Sequence, residues 1–530
     1  MAAADRGTTR AARPSGGAAA APERCRHSVA ATLLAPLPIS DSPWRDTGAR
    51  AWYRPPMEIL MVAAELSPYA RAGETGDSVA ALSRMLVQLG HEVTVALPRY
   101  TSFEDQGLLV ARRLTPLRLA SGEAVTVFDG QLGSGVKIAL FDGPDLFARP
   151  GVYGEGDEDY ADNPRRFSLL AQAAAALAVQ RAGQGQAFDV AHLHDWPGAL
   201  AAIALAQTDV PLPKVLTLHE LSRDGSFPAR ELASLGIPEA LDNEAGVRLG
   251  NQVSVLKGGI QMADAVTTVS ATYARDLSGP EQGGPLAGVF EARGEELSGI
   301  LPGLDYAIHN PTIDTALPSR FNAENAGNKG SCKTALIRRL GLDLDPRRPL
   351  VVLVGPLTKD RGVDLLVPIA GRIVDNDASL VVAGTGGAAI VRSLSAKGLI
   401  ERDNYAYLEQ LDGEEERRLL AAADLLLSPL RYDRSATFVR KALRYGAAPV
   451  ALARGAVCDA VVDCDAELET GTGFLYSEPT PEALLGAVTR ALAAYHHEAW
   501  PRLTRRLLRL DLSWESPARR YLKAYKNASA

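Results

Sequence analysis

The chain has 530 residues, of which 46% are hydrophobic and 22% are charged, and its formal net charge at pH 7 is -7. This length exceeds what one hydrophobic core supports, and the net acidity argues against binding to nucleic acid. No apolar run reaches the length of about 20 residues that a membrane span needs. Four cysteines without a C-x-x-C pair indicate a reducing compartment, so we expect a cytoplasmic protein.

Residues 1–56 differ from the rest of the chain, because they are rich in Ala, Pro and Arg, poor in acidic residues and without a hydrophobic period. Three interpretations stay open: a disordered tail, an organelle transit peptide, or sequence upstream of a true start at Met57. In each case we expect the fold to begin at Met57.

From Met57 onwards, short apolar strands alternate with amphipathic helices, which predicts a parallel sheet with helices on both faces. The first unit is a strand at 58–64, a glycine-containing loop at 71–76, a helix at 77–89 and a strand at 91–97. The further predicted elements of this region are strands at 136–140, 190–194, 215–219 and 266–270 and helices at 164–181 and 249–262.

Two neighbouring strands of this region stop at a histidine beside an acidic residue. One ends in His194-Asp195-Trp196, and the other ends in His219-Glu220. Ligands bind outside the carboxyl ends of the strands in an open parallel sheet. These polar strand ends therefore predict a ligand site.

The alternation of predicted strands and helices weakens near Asn310-Pro311 and restarts with the apolar run at 350–355. We therefore expect two Rossmann-like α/β domains and one ligand site in the cleft between them. The expected division is a domain at 57–310, a linker at 311–345, a second domain at 346–498 and a C-terminal helix at 499–530. The elements predicted in the second half are strands at 380–383, 424–428 and 449–453 and helices at 362–374, 413–423, 436–446, 480–494 and 500–526.

A dinucleotide-dependent dehydrogenase is one class of protein with two such domains, but two features argue against it. The loop after the first strand lacks the G-x-G-x-x-G pattern, and the second strand ends in Pro98-Arg99-Tyr100. An NAD site needs an acidic residue there to bind the ribose hydroxyls.

Five segments with a fixed order narrow the function further: Glu65-Leu66-Ser67-Pro68, His194-Asp195-Trp196, Thr217-Leu218-His219, Leu256-Lys257-Gly258-Gly259-Ile260 and Thr470-Gly471-Thr472-Gly473-Phe474. In this order and spacing they resemble the bacterial glycogen synthase and plant starch synthase family. The resemblance implies the GT-B arrangement of two Rossmann-like domains, with a C-terminal helix that crosses back to the first domain. It also implies retaining transfer of glucose from ADP-glucose to an α-1,4-glucan, without a metal or another cofactor.

The same resemblance implies the roles of individual residues. The resemblance implies that His219 and Asp433 are catalytic. It implies that the substrate-binding residues are Arg71, Gly73, Asp195, Arg361 and Thr437. No group of residues has the spacing of metal ligands, so we expect no metal.

Several positions depart from the family's motifs, and all of them lie in the expected site. Glu74 replaces the second glycine of the K-T-G-G-L motif, and Pro356 replaces the arginine of the phosphate-binding loop. Proline supplies neither a cation nor an N–H group. The E-P-C-G-L motif aligns with 433–437, where Asp433 replaces the glutamate and reaches about 1.5 Å less far.

These departures favour a glucosyltransferase of weakened activity. Two alternatives stay open: a catalytically silent paralogue that binds glucan or a nucleotide sugar, and a transferase that uses another donor.

Overall fold

The computed structural model describes residues 56–156, 158–341 and 345–530. The interpretations of the N-terminal segment concern residues that lie almost wholly outside these ranges. None of the helices within the described ranges is both long and apolar enough to cross a membrane.

The first domain is built on a nine-stranded sheet. In chain order its strands are β1 (Glu58–Val62), β2 (Glu92–Pro98), β3 (Val110–Arg112), β4 (Val127–Gln131), β5 (Lys137–Phe141), β6 (Val190–His194), β7 (Lys214–Leu218), β8 (Ala265–Thr268) and β9 (Leu297–Gly299). Their order in space is β9-β8-β7-β6-β1-β2-β5-β4-β3. All neighbouring pairs are parallel except β4 with β5 and β3 with β4, which are antiparallel.

Strand β1 lies at the point where this order reverses. It pairs with β2 on one side and with β6 on the other. The chain first extends the sheet through β2 and then returns to extend it through β6 and β7. Because ligands of open α/β sheets bind at such a switch point, the loops that follow β1 and β6 mark the expected site. Burial on both faces explains why Ile59, Leu60, Met61 and Val62 form an unbroken apolar run.

The main helices of this domain are α1 (Glu74–Gln88), α2 (Asn163–Gly183), α3 (Asp195–Ala206), α4 (Val255–Met262) and α5 (Ala271–Asp276). Helix α1 packs on the sheet through Val79, Leu82 and Leu86, which are buried.

The prediction of a helix at 249–262 is wrong in its first half. Arg248–Leu249 and Gln252–Ser254 form short antiparallel strands, and Gly250 between them has a φ of +58°. Such a φ is readily adopted by glycine and permits a tight turn. Helix α4 begins only at Val255, where the Ser254 hydroxyl accepts a hydrogen bond from the N–H of Lys257.

The second domain contains a six-stranded parallel sheet. Its strands are β10 (Leu350–Val354), β11 (Ser379–Ala383), β12 (Tyr405–Leu408), β13 (Leu425–Ser428), β14 (Ala448–Leu452) and β15 (Phe474–Tyr476). The order in space is β12-β11-β10-β13-β14-β15, so the switch point lies between β10 and β13. The loops at 355–361 and 429–437 follow these two strands and face the same cleft.

The helices of the second half include α6 (Lys329–Leu340), α7 (Gly413–Ala422), α8 (Thr437–Arg444), α9 (Pro481–Tyr495), α10 (Trp500–Leu508) and α11 (Glu515–Ala528). Part of the expected linker is therefore helical, because α6 lies within it and packs on α7.

Two of the helices predicted in this half are each split in two. Residues 362–374 form the short helices Val363–Leu366 and Ala370–Asp375, with Pro368 between them. Proline lacks the N–H that would continue the first helix. The predicted helix at 500–526 is divided into α10 and α11.

Helix α11 returns to the first domain, which confirms the predicted crossing. Tyr521 and Tyr525 are buried against the first sheet, and the Tyr525 hydroxyl is hydrogen-bonded to His192 Nδ1 at 2.8 Å. Arg520 donates to the carbonyl oxygen of Gly299 at 2.7 Å.

The two segments that connect the domains run side by side. One follows β9 and the other joins α10 to α11. The N–H of Leu304 donates to the carbonyl of Leu512 at 2.7 Å, and the N–H of Leu512 donates to the hydroxyl of Tyr306 at 2.8 Å. Leu304 and Ser513 also form an isolated parallel bridge. We call this pair of segments the double crossing.

Candidate active site

Two buried histidines meet where β6 and β7 end. His194 lies opposite Thr217 in the parallel register, so the side chain that follows β7 comes next to it. His194 Nδ1 and His219 Nε2 share a hydrogen bond of 3.1 Å. Burial lowers the pKa of His219 to about 4, although the nearby carboxylates of Glu65, Glu74 and Glu220 oppose this shift. The His219 imidazole is therefore neutral at pH 7.

Asp195 joins three loops of the first domain. Its Oδ1 accepts the N–H of His219 at 2.7 Å, and its Oδ2 accepts the hydroxyl of Thr75 at 2.7 Å. Burial raises the pKa of Asp195 to about 7, while these hydrogen bonds pull it downwards. Its φ of +52° is left-handed, a conformation that Asp and Asn adopt more readily than most residues. One carboxylate thus fixes the loops after β1, β6 and β7 relative to each other.

Glu65 is a buried member of the site that sequence reasoning did not identify. Its Oε2 accepts the N–H groups of Ala72 and Gly73, both at 2.7 Å. Burial raises its pKa. The sequence did indicate that Glu65 belongs to the site. Glu65 follows the apolar run of β1, just as His194-Asp195 follows the apolar part of β6.

The glycine predicted to bind substrate, Gly73, lies at the N-cap of α1 and faces open space. A Cβ atom built there meets no other described atom within 4 Å. By contrast, a Cβ at Gly76 would lie 3.2 Å from the Cβ of Glu65. Gly73 therefore leaves room beside the loop, whereas Gly76 permits close packing within it.

Arg71, the predicted substrate cation of this loop, lies exposed at the rim of the site. Its Nε and Nη2 atoms each donate to the carboxylate of Asp77 at 3.0 Å. The Ser67 hydroxyl donates to the same carboxylate at 2.5 Å. Asp77 lies within the first turn of α1, which begins at Glu74 rather than at the predicted residue 77, and it pairs with Arg71. The positive charge of Arg71 is therefore partly neutralised.

In the second domain, the carboxylate of Asp433 is hydrogen-bonded to the backbone of its own loop. Its Oδ1 accepts the N–H groups of Ala436 at 2.7 Å and of Ser435 at 3.2 Å. Burial, and then the negative charge of Glu74, raise the pKa of Asp433 to about 6. The backbone also fixes this loop, because the N–H of Ala456 donates to the carbonyl of Asp433 at 2.7 Å. A Cβ at Gly455 would lie 2.1 Å from that carbonyl oxygen.

The two halves of the site touch across the cleft. Glu74 Oε2 accepts the hydroxyl of Ser435 at 2.7 Å and the hydroxyl of Thr437 at 3.1 Å. A looser ion pair joins Arg434 to Glu220 at 3.8 Å. These contacts bring the start of α1, next to Gly73, opposite the loop of Asp433 and the start of α8 at Thr437.

Arg361 lies on the second-domain side, at the carboxyl ends of β10 and β13. Its guanidinium carbon lies 5.5 Å from the centre of the Phe438 ring. The two side chains line a pocket together with Pro356, Ser428 and Pro429. Arg361 forms no ion pair with any residue in the described ranges, in contrast to Arg71. Its positive charge also lowers the pKa of Asp433 slightly, which places the two groups in one electrostatic environment.

Known proteins resemble both halves of the chain. Residues 58–292 match the family model described as the starch synthase catalytic domain, and residues 339–501 match the one described as glycosyl transferases group 1. A glycogen synthase of Anaeromyxobacter dehalogenans is 36% identical over 481 residues, which cover 89% of this chain and 99% of that protein. A glycogen synthase of Paracidovorax citrulli is 34% identical over 480 residues, covering 88% and 94% of the respective chains.

The chain belongs to the glycogen synthase and starch synthase family of hexosyltransferases. A solved structure agrees: the catalytic domain of starch synthase IV from Arabidopsis thaliana, bound to ADP and acarbose, is 28% identical with a TM-score of 0.79. The superposition covers 90% of this chain and 100% of that one. The GT-B arrangement is thereby confirmed.

Within this family, the chain places an alanine where the E-P-C-G-L motif has its glycine. Ala436 is buried, has a φ of +51°, and lies directly before α8. A left-handed backbone costs a residue with a Cβ atom about 1 kcal/mol relative to glycine.

Replacing this alanine should stabilise the protein. We expect Ala436→Gly to raise the free energy of unfolding by about 1 kcal/mol, measured by chemical denaturation. The matched control is Ala442→Gly in the interior of α8, which should lower the same quantity by about 1 kcal/mol or more, because glycine is unfavourable within a helix. If the Ala436→Gly protein were no more stable than the parent, the left-handed backbone at Ala436 would not be a source of strain.

The buried carboxylate of Asp195 predicts a stability difference that depends on pH. Its folded-state pKa of about 7 lies above the ordinary value, so the parent protein loses stability as pH rises towards and through 7. Asp195→Asn retains the left-handed preference but carries no charge. We expect the variant to be more stable than the parent at pH 8 by roughly 2 kcal/mol, with a smaller difference at pH 5.

Urea denaturation of both proteins at the two pH values measures this difference. Other titrating groups are common to the two proteins and cancel in the comparison. Asp145→Asn, at an exposed position, controls for the introduction of an amide. A constant difference between pH 5 and pH 8 would show that Asp195 does not titrate in this range.

Proposed function

We propose that the protein transfers glucose from ADP-glucose to an α-1,4-glucan with retention of configuration and with weakened activity. One observation carries this proposal: the loop at 433–437 contacts the polar side of the first domain across the cleft, where Ser435 bonds to Glu74 and Arg434 lies 3.8 Å from Glu220, the residue after His219. The resemblance to glycogen synthases and to a starch synthase with bound ADP and acarbose supports the choice of donor and acceptor.

The second domain holds the donor's diphosphate in this proposal. Negative charge grows on the diphosphate as its bond to glucose breaks, and cations and helix N-termini stabilise that charge. Arg361 forms no ion pair within the described ranges and can bind phosphate with two parallel hydrogen bonds. Thr437 opens α8, so its hydroxyl and the N-terminus of the helix point to the same side of the cleft.

The first domain surrounds the transferred sugar. Positive charge develops on the glucose ring in the transition state, and a neutral His219 does not oppose it. Asp195 holds the backbone N–H of His219 and thereby positions the imidazole. The loop of Arg71 and Gly73 lies beside the sugar and contributes to binding the acceptor.

Three features of the site weaken the activity in this proposal. Pro356 supplies no cation, Arg71 is paired with Asp77, and the Asp433 carboxylate bonds to its own loop. The loss of one donor to a developing anion costs on the order of 10²–10³ in rate. The same features favour the alternative of a silent paralogue that binds glucan or a nucleotide sugar, and the remodelled phosphate loops are also compatible with another donor.

An assay of the full chain tests the activity. We expect transfer of labelled glucose from ADP-glucose to glycogen, with UDP-glucose as the competing donor. His219→Ala should lower kcat by about 100-fold, because the side chain that contacts the sugar is removed. His497→Ala is the matched control at an exposed position beyond the end of α9. Unchanged turnover in His219→Ala would contradict the assignment of the sugar site.

A second pair of substitutions tests whether the activity is weakened by the altered positions. We expect Pro356→Arg combined with Asp433→Glu to raise turnover by about 10-fold to 100-fold, because it restores a cation and a longer acid. Calorimetric binding of glycogen and ADP is measured alongside. Transfer with neither donor, together with retained glycogen binding, would instead support the silent paralogue.

A further inference from the structure

The carboxylate of Glu74 reaches from the first domain into the second. Its Oε2 accepts two hydrogen bonds from hydroxyls of the facing loop, from Ser435 at 2.7 Å and from Thr437 at 3.1 Å. Ser435 Oγ and Thr437 Oγ1 also lie within 2.8 Å of each other, so the carboxylate meets a pair of hydroxyls held together. Glu74 is thus the cleft-facing acid that binds the opposite domain.

Two helix N-termini converge on this carboxylate. Glu74 is the first residue of α1, and Thr437 is the first residue of α8. The N-terminus of a helix carries partial positive charge and unpaired N–H groups, so it favours an anion. The Glu74 carboxylate satisfies that preference from within the protein.

Glu74 forms no ion pair with any residue in the described part of the chain, although Arg361 and Glu74 both act on Asp433. Asp433 is a second carboxylate nearby, and the negative charge of Glu74 contributes to its raised pKa. The closest cation of the same loop, Arg71, is paired with Asp77, and Arg434 faces Glu220. The two groups that donate to Glu74 are hydroxyls, which can equally donate to a phosphate oxygen.

We propose that Glu74 determines the affinity for the diphosphate of the donor: its carboxylate occupies the place at the start of α8 that the diphosphate takes, and the donor must displace it. The proposal rests on the proposed function, since it assumes that a diphosphate binds at this loop. Ser435 and Thr437 then exchange one anion for another as the donor enters. Glu74 lowers the affinity for ligands in proportion to their negative charge at this position.

Glu74→Gln separates charge from shape. The amide can still accept from Ser435 or Thr437 but no longer competes as an anion. We expect the full-chain variant to bind ADP and inorganic pyrophosphate about tenfold more tightly than the parent, and to bind adenosine with unchanged affinity, as measured by calorimetry. Adenosine lacks phosphate, so it reports on the rest of the nucleotide pocket.

Glu482→Gln is the matched control. Glu482 is an exposed glutamate in the first turn of α9, a helix that packs on β14 and β15. Its substitution makes the same change in net charge at a comparable helix position, and ADP affinity should not change. Thermal unfolding of each variant verifies that the fold is intact.

The outcomes distinguish this inference from the proposed function. Unchanged or weaker ADP binding in Glu74→Gln, in a protein whose parent binds ADP and transfers glucose, would overturn the inference alone. Equal tightening for adenosine would also overturn it, because the effect would not depend on phosphate charge. Failure of ADP and pyrophosphate to bind either protein, together with absent glucose transfer, would overturn both.

Discussion

The site depends on one buried carboxylate at the switch point of the first sheet. Asp195 accepts the Thr75 hydroxyl from the first turn of α1, the helix after β1, and the His219 N–H from the end of β7, while it lies itself at the end of β6. The strand order places these three strand ends side by side, but it does not fix the loops that follow them. The carboxylate does so, at the cost of keeping an ionisable group away from water. The position of His219 follows from that bond.

The altered positions of the second half of the site form a single bonded unit. Asp433 accepts the N–H groups of Ser435 and Ala436, and the hydroxyls of Ser435 and Thr437 bind Glu74 of the other domain. When each of these positions is compared with the family's motifs, it counts as a separate loss of a functional group. Their contacts show that the changes on the two sides of the cleft fit each other, because the added acid of one loop meets the added hydroxyls of the other.

Much of the fold could be predicted because its central strands are buried on both faces. Runs such as 190–194 and 350–354 are short and largely apolar, as is typical of strands buried on both faces, and the two sheets have strands at these positions. The hairpin at 248–254 was missed because it is short and runs directly into α4, so its apolar residues continue the spacing of the helix. Pro368 divides a helix whose apolar pattern continues on both sides.

The site was predictable only where its residues follow strands. His194, Asp195 and His219 were identified in this way, and Glu65 could have been. The role of Glu74 could not be predicted, because its partner Ser435 lies 361 residues further along the chain and nothing local indicates the contact. The ion pair of Arg71 with Asp77 was not predicted, because the resemblance assigned Arg71 to the substrate and the predicted helix began at 77 instead of Glu74.

The double crossing limits how the two halves of the molecule can move. Two connecting segments that are bonded to each other through Leu304, Leu512 and Tyr306 act as a short flat ribbon. Such a pair bends more easily out of its own plane than within it, so rotation of the domains out of that plane is the motion that it opposes least. Opening of the cleft would then be a rotation about the double crossing, and residues far from it would travel furthest for a given angle. A hydrogen bond between the domains far from the double crossing would therefore have the longest lever arm against opening of the cleft.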